Sequence, residues 1–120
     1  MPVTPWYVAQ RTPVWAVQEF QDPPSAGGQS APLPLTGLTG STIKLHMQVT
    51  DASGNPTGSD VLGVGTVNIT DSPNGKFTYA PATNDLFVTT AGKYLMQWEF
   101  QFSGGSTWGD IFSLITIATV

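Results

Sequence analysis

The chain contains no cysteine. It therefore forms no disulfide, offers no thiolate nucleophile and builds no Cys-ligated zinc or iron–sulfur site. Charge is almost as scarce: 10% of the 120 residues are charged, where soluble domains average about 25%. Lys+Arg 4 against Asp+Glu 8 leaves a net charge of -4. The scattered cations Arg11, Lys44, Lys76 and Lys93 cannot form the clustered basic footprint that nucleic acid requires. No apolar run approaches the roughly 18–20 residues that span a bilayer. The N-terminus, MPVTPWYVAQ, lacks a basic stretch followed by an apolar one, so no signal peptide is expected. Neither nucleic acid nor membrane is an expected partner. What is present is 40% hydrophobic residues, which suits one folded domain rather than a disordered chain. Its surface must then consist largely of uncharged polar groups, which protect poorly against association. Composition thus points toward a chain that works inside an assembly.

Motifs for chemistry are equally sparse. His46, the single histidine, lies on the polar face of an alternating strand with no acid beside it in sequence. A Ser–His–Asp triad would need it, but no Gly-x-Ser-x-Gly elbow exists. Asp51, Ser53 and Asn55 place oxygen ligands at alternate positions, as a calcium loop does. That loop needs glycine at its sixth position and glutamate at its twelfth, where this chain has Pro56 and Leu62. Asx-turn hydrogen bonding accounts for these residues better. Asp60, Asp71, Asp85, Glu99 and Asp110 could supply paired carboxylates for glycoside hydrolysis, but none sits in a recognisable motif. Asp71 and Asp85 lie in turn contexts that favour local hydrogen bonds. No phosphate loop or dinucleotide fingerprint occurs. The expectation is no enzyme, no catalytic residue, no cofactor and no metal.

The chain divides into an arm and a body. Residues 1–32 read as a proline- and aromatic-rich arm and linker, and 33–120 as a β-sandwich. Pro2, Pro5, Pro13, Pro23, Pro24, Pro32 and Pro34 all fall within the first 40 residues. The run from Pro23 to Gly28 is a loop or hinge by composition. Two short β-prone pieces, Trp6–Gln10 and Val14–Phe20, precede it. Val14, Trp15, Ala16 and Val17 are all apolar, which predicts cover on both faces. The arm's large rings, Trp6, Tyr7, Trp15 and Phe20, either fold back over the body or anchor into a neighbour.

The body reads as strands. Ile43, Leu45, Met47 and Val49 alternate with Lys44, His46 and Gln48. Residues 51–58 form a turn-rich loop, and 64–70 a second strand with Val67 and Ile69 inward. Asn74-Gly75 is a hairpin signal, followed by Lys76–Ala80 with Phe77 and Tyr79 on one face. Residues 84–92 hold the only plausible helical turn. In Lys93–Phe102, Tyr94, Met96, Trp98, Phe100 and Phe102 share the apolar face. After a Ser103–Ser106 turn, residues 108–120 form one long strand. Phe112 and Leu114 point one way, and Ile111, Ile115 and Ile117 the other. A last strand apolar on both faces predicts cover from outside the sandwich. The strand spacing and turn chemistry predict an all-β, antiparallel sandwich.

Ala91-Gly92-Lys93-Tyr94 opens the aromatic strand as the tyrosine corner of immunoglobulin-like sandwiches does. A longer series runs from Leu35-Thr36-Gly37 through Gly65–Ile69 and Phe77–Tyr79 to Asn84-Asp85-Leu86. It continues through Ala91–Tyr94 to Ser103-Gly104-Gly105. This order resembles the N-terminal immunoglobulin-like domain of tailed-phage baseplate upper proteins, over about three-quarters of the chain. The resemblance implies an immunoglobulin-like fold and a structural role in a virion assembled in the host cytoplasm. The place could be baseplate, tail or capsid decoration. It implies other virion proteins and copies of the same chain as partners. The expected interface residues are Trp6, Tyr7, Trp15, Phe20, Ile111, Ile115 and Ile117. The alternative is a carbohydrate-binding module that adsorbs to a host-surface glycan through an exposed tryptophan such as Trp108 or Trp6.

Overall fold

The computed structural model describes residues 6–21 and 31–118. The expected hinge at Pro23–Gly28 and the last two residues of the expected final strand lie outside them. Two sheets face each other across an aromatic core, and the chain is an all-β sandwich. The larger sheet has the order β1 (Trp6–Tyr7), β9 (Phe112–Ile117), β7 (Gly92–Phe102), β3 (Ile43–Thr50) and β4 (Val61–Leu62). A sixth strand, β8 (Gly105–Trp108), also pairs with β7. The smaller sheet is β2 (Trp15–Gln18), β6 (Lys76–Ala80) and β5 (Thr66–Asp71). All pairs are antiparallel except β1 with β9.

Period-two alternation makes the long strands and sets their register. Pairing of β3 with β7 puts Ile43, Leu45, Met47 and Val49 opposite Phe100, Trp98, Met96 and Tyr94 on the inner face. Phe77 meets Trp98 edge-on with ring centroids 4.9 Å apart, and Tyr79 meets the same indole at 5.6 Å. Such edge-to-face pairs add to burial by matching ring edges to ring faces. Tyr94 is fully buried, and its hydroxyl donates to the Thr90 carbonyl four residues upstream. That bond ties the turn to the strand, as a tyrosine corner does.

The arm is part of the sandwich. One piece, β1, lies along β9 in the larger sheet. After a crossing that includes a cis Thr12–Pro13 bond, β2 lies along β6 in the smaller one. Trp6 and Trp15 project between the sheets, 0% and 2% exposed, with their rings edge to face at 5.6 Å. Phe87 closes this cluster from α1 (Leu86–Thr89), the short helical turn expected within residues 84–92.

Three sequence expectations need correction. The apolar run 14–17 is not covered on both faces: Trp15 is buried, whereas Val14 and Ala16 are exposed. Trp15 and, in part, Val17 take the inner positions of β2, and alanine costs little in water. The final strand is not continuous. Gly109–Ile111 breaks it into β8, which pairs with the far end of β7, and β9, which pairs with the near end. The piece expected over Trp6–Gln10 stops at Tyr7, because Ala9 turns the chain with φ 68°.

Candidate functional site

The seven expected interface residues divide three ways. Trp6 and Trp15 belong to the chain's own core, so neither ring anchors a neighbour. The physical reason is room: the smaller sheet has three strands, and two indoles fill the space it leaves uncovered. Tyr7, Ile115 and Ile117 form a strip on the outer face of the larger sheet. Tyr7 pairs directly with Ile117, and Ile115 lies two residues along the same face beside Lys93. All three are more than 40% exposed. Phe20 and Ile111 lie elsewhere, on a groove of about 810 Å³ between β2 and the β8–β9 turn.

Sequence reasoning missed the polar centre of the outer face. His46 projects outward from β3, diagonal to Glu99 on β7, whose direct partner is Lys44. The Nε2 atom of His46 lies 2.8 Å from a Glu99 carboxylate oxygen, and its Nδ1 lies 2.6 Å from Asp60, just before β4. No acid lies beside His46 in sequence, but the expectation of an exposed histidine without partners does not hold. Both acids arrive through tertiary pairing, and only the outward placement shared by His46 and Glu99 could have hinted at it. The second Glu99 oxygen accepts the Ser106 hydroxyl at 2.6 Å. Trp108, opposite Glu99 on β8, lays its indole against the imidazole with centroids 4.8 Å apart.

The electrostatics follow from this geometry. A carboxylate only accepts, so a ring nitrogen facing one must donate. With both nitrogens so placed, His46 is held as imidazolium. Partial burial opposes that charge, but the hydrogen bonds and charges of Asp60 and Glu99 prevail and raise its pKa above 6.5. Glu99 is lowered, first by the Ser106 hydroxyl and then by His46. The Ser106 hydroxyl is committed to Glu99 rather than to the histidine, so this is an ion-pair clamp rather than a nucleophile with its base. Beside it lies a shallow cleft of about 240 Å³, lined by Asp60, Gln48, Gln97, Leu95, Trp108 and Ile111.

Other expected turn residues do the work foreseen for them. The Asp51 carboxylate accepts from the Ser53 and Asn55 amides at 2.9 and 3.0 Å, an Asx turn. Those bonds hold its pKa below the usual range. Among the described residues no group of three or more His, Asp or Glu side chains is placed to hold a metal ion. Protein-family models, curated proteins and solved structures offer no match to this chain.

Proposed function

We propose that this chain is a non-enzymatic structural protein of a phage virion, which associates with further copies of itself through the outer face of its larger sheet. The observation that carries this reading is the strip of Tyr7, Ile115 and Ile117 on a face that the chain's own second sheet does not cover. Low charge over the chain as a whole supports it, and the ionic groups this face does carry, Lys93 beside Ile115 and the His46–Glu99 pair, would sit at the rim of the contact. The strip includes β1, which among the described residues pairs on one side only, so a second copy can extend the sheet while the apolar residues meet. The virion setting and the immunoglobulin-like class rest on the resemblance read from Leu35 to Gly105, to which the Tyr94 corner bond adds support.

Light scattering across a concentration series tests the association. The expected result is oligomers that revert to monomer when Ile115 and Ile117 are both replaced by lysine. Both side chains are exposed, so the fold should survive. A wild-type chain that stays monomeric up to millimolar concentration would remove this reading. Mass spectrometry of purified particles tests the setting.

A second reading has its own observation. Trp108 is 48% exposed and borders the cleft beside Asp60, Gln48 and Gln97. An indole flanked by carboxylate and amide groups suits a sugar ring, which stacks and hydrogen-bonds at once. A glycan array with no hit for the wild type, or hits retained by Trp108→Ala, would dismiss it.

A further inference from the structure

The groove of about 810 Å³ is bounded by edge strands from both sheets. On one side, β2 is the outer strand of the smaller sheet, paired with β6. On the other, β8 is paired with β7 and turns at Gly109 into β9. The sandwich is thus unclosed here. Its volume falls within the roughly 300–1,000 Å³ typical of ligand sites. Core rings form part of the lining, since both Trp98 and Phe112 border it, and Phe20, Trp108 and Ile111 stand exposed around it.

The charge of the groove is one-sided. Glu19 and Asp110 both line it, and no Lys, Arg or His does so among the described residues. The Glu19 carboxyl reaches across to the opposite wall. A Cβ added at Gly109 would stand 2.9 Å from its Oε2, which places the carboxylate against the backbone of that turn. Burial, and then the Asp110 charge, lift the pKa of Glu19 above its usual value. A guanidinium or ammonium group would relieve both effects.

We propose that this groove binds an extended segment of a partner protein that carries a lysine or arginine flanked by apolar residues. The segment's backbone pairs with the edge of β8 that faces away from β7, as in β-strand addition. Its apolar side chains reach Trp98 and Phe112, and its cation meets Glu19 and Asp110. This site goes beyond the self-association proposed above and uses a different surface, since Tyr7, Ile115 and Ile117 do not line it.

A displayed library of random linear heptapeptides, panned on the immobilised full chain, provides the test. Enriched peptides should carry a lysine or arginine beside apolar residues. Their affinity, read by fluorescence anisotropy, should fall about tenfold in the Glu19→Gln, Asp110→Asn double variant. It should also weaken as salt rises. Circular dichroism checks that the variant folds. Ile111→Ser, at a position 64% exposed, offers a second variant that should lose affinity without disturbing the core. No enrichment over a blank surface, enriched peptides without a cation, or affinity unchanged in both variants would overturn the proposal. Dimers seen by light scattering and lost in the double variant would show that a second copy fills the groove, and would overturn it as well.

Discussion

His46 shows how one side chain takes its state from its neighbours. Its ring faces Asp60 on the β4 side and Glu99 on β7, with Trp108 of β8 packed against it. Lys44 lies two residues away on the same face of β3 and directly opposite Glu99. Because the folded-state pKa is raised above 6.5, the stability His46 contributes is complete below that value and is lost as pH rises through the raised pKa. Glu99 has the opposite sign. Its pKa is lowered from 4.5, so its contribution is present above that value and is lost as pH falls through the lowered one. The clamp is therefore complete between pH 4.5 and 6.5. With a single histidine in the chain, an NMR titration of its ring protons reads the state directly. The midpoint should lie above 6.5 and should drop in Asp60→Asn. A wild-type midpoint at or below 6.5 would show that the two carboxylates do not hold the ring.

Between residue and whole, the connections carry as much of the fold as the strands do. Asp85 is 1% exposed and gathers three donors. Its carboxylate accepts the Tyr79 hydroxyl at 2.7 Å, the Val64 amide at 2.7 Å and the Ala82 amide at 2.9 Å. It thereby fastens the entry to β5, the end of β6 and the start of α1 to one point. Burial, and then the Asp85 bond, raise the pKa of Tyr79, which stays a donor throughout the accessible range. Replacing Asp85 by alanine strands these donors, each at about 1–3 kcal/mol. Urea unfolding should show a loss of more than about 2 kcal/mol, with Asp85→Asn intermediate. A loss below about 0.5 kcal/mol would mean that water replaces the carboxylate without cost. How much of this was readable in sequence depends on the range of the interaction. The strands at 43–50 and 93–102 announce themselves by alternation, and the turn at Asn74-Gly75 by its residues. Gly75 has φ 69°, and a Cβ there would come within 2.7 Å of the Glu19 and Leu33 carbonyl oxygens. By contrast, β4 has two residues, too few for any period. The partners of His46 lie 14 and 53 residues away, and the local pattern around it names neither.

At the scale of the molecule, the arm decides what the body is. Sequence composition sets residues 1–32 apart, because proline and exposed-looking aromatics resemble a tether. In three dimensions the same residues supply a strand to each sheet and two indoles to the core. The pairing of β1 with β9 joins positions near both ends of the described chain, and β2 reaches β6 across about sixty residues. Neither pairing leaves a local signature. Without the arm, Phe87 and Tyr79 would lose the rings they pack against, since Trp15 lies 5.0 and 5.4 Å from them. A single Trp→Ala change in a core costs about 3–5 kcal/mol, comparable with much of the roughly 5–15 kcal/mol that stabilises a domain. Losing two tryptophans and two strands exceeds that margin. A chain beginning at Ala31 is therefore expected to lose its near-ultraviolet circular dichroism and to unfold without a cooperative transition. The full chain should give a single sigmoidal curve. If the shortened chain instead melts cooperatively with Trp98 buried, the body is independent, and the two indoles are free to have evolved for a partner after all.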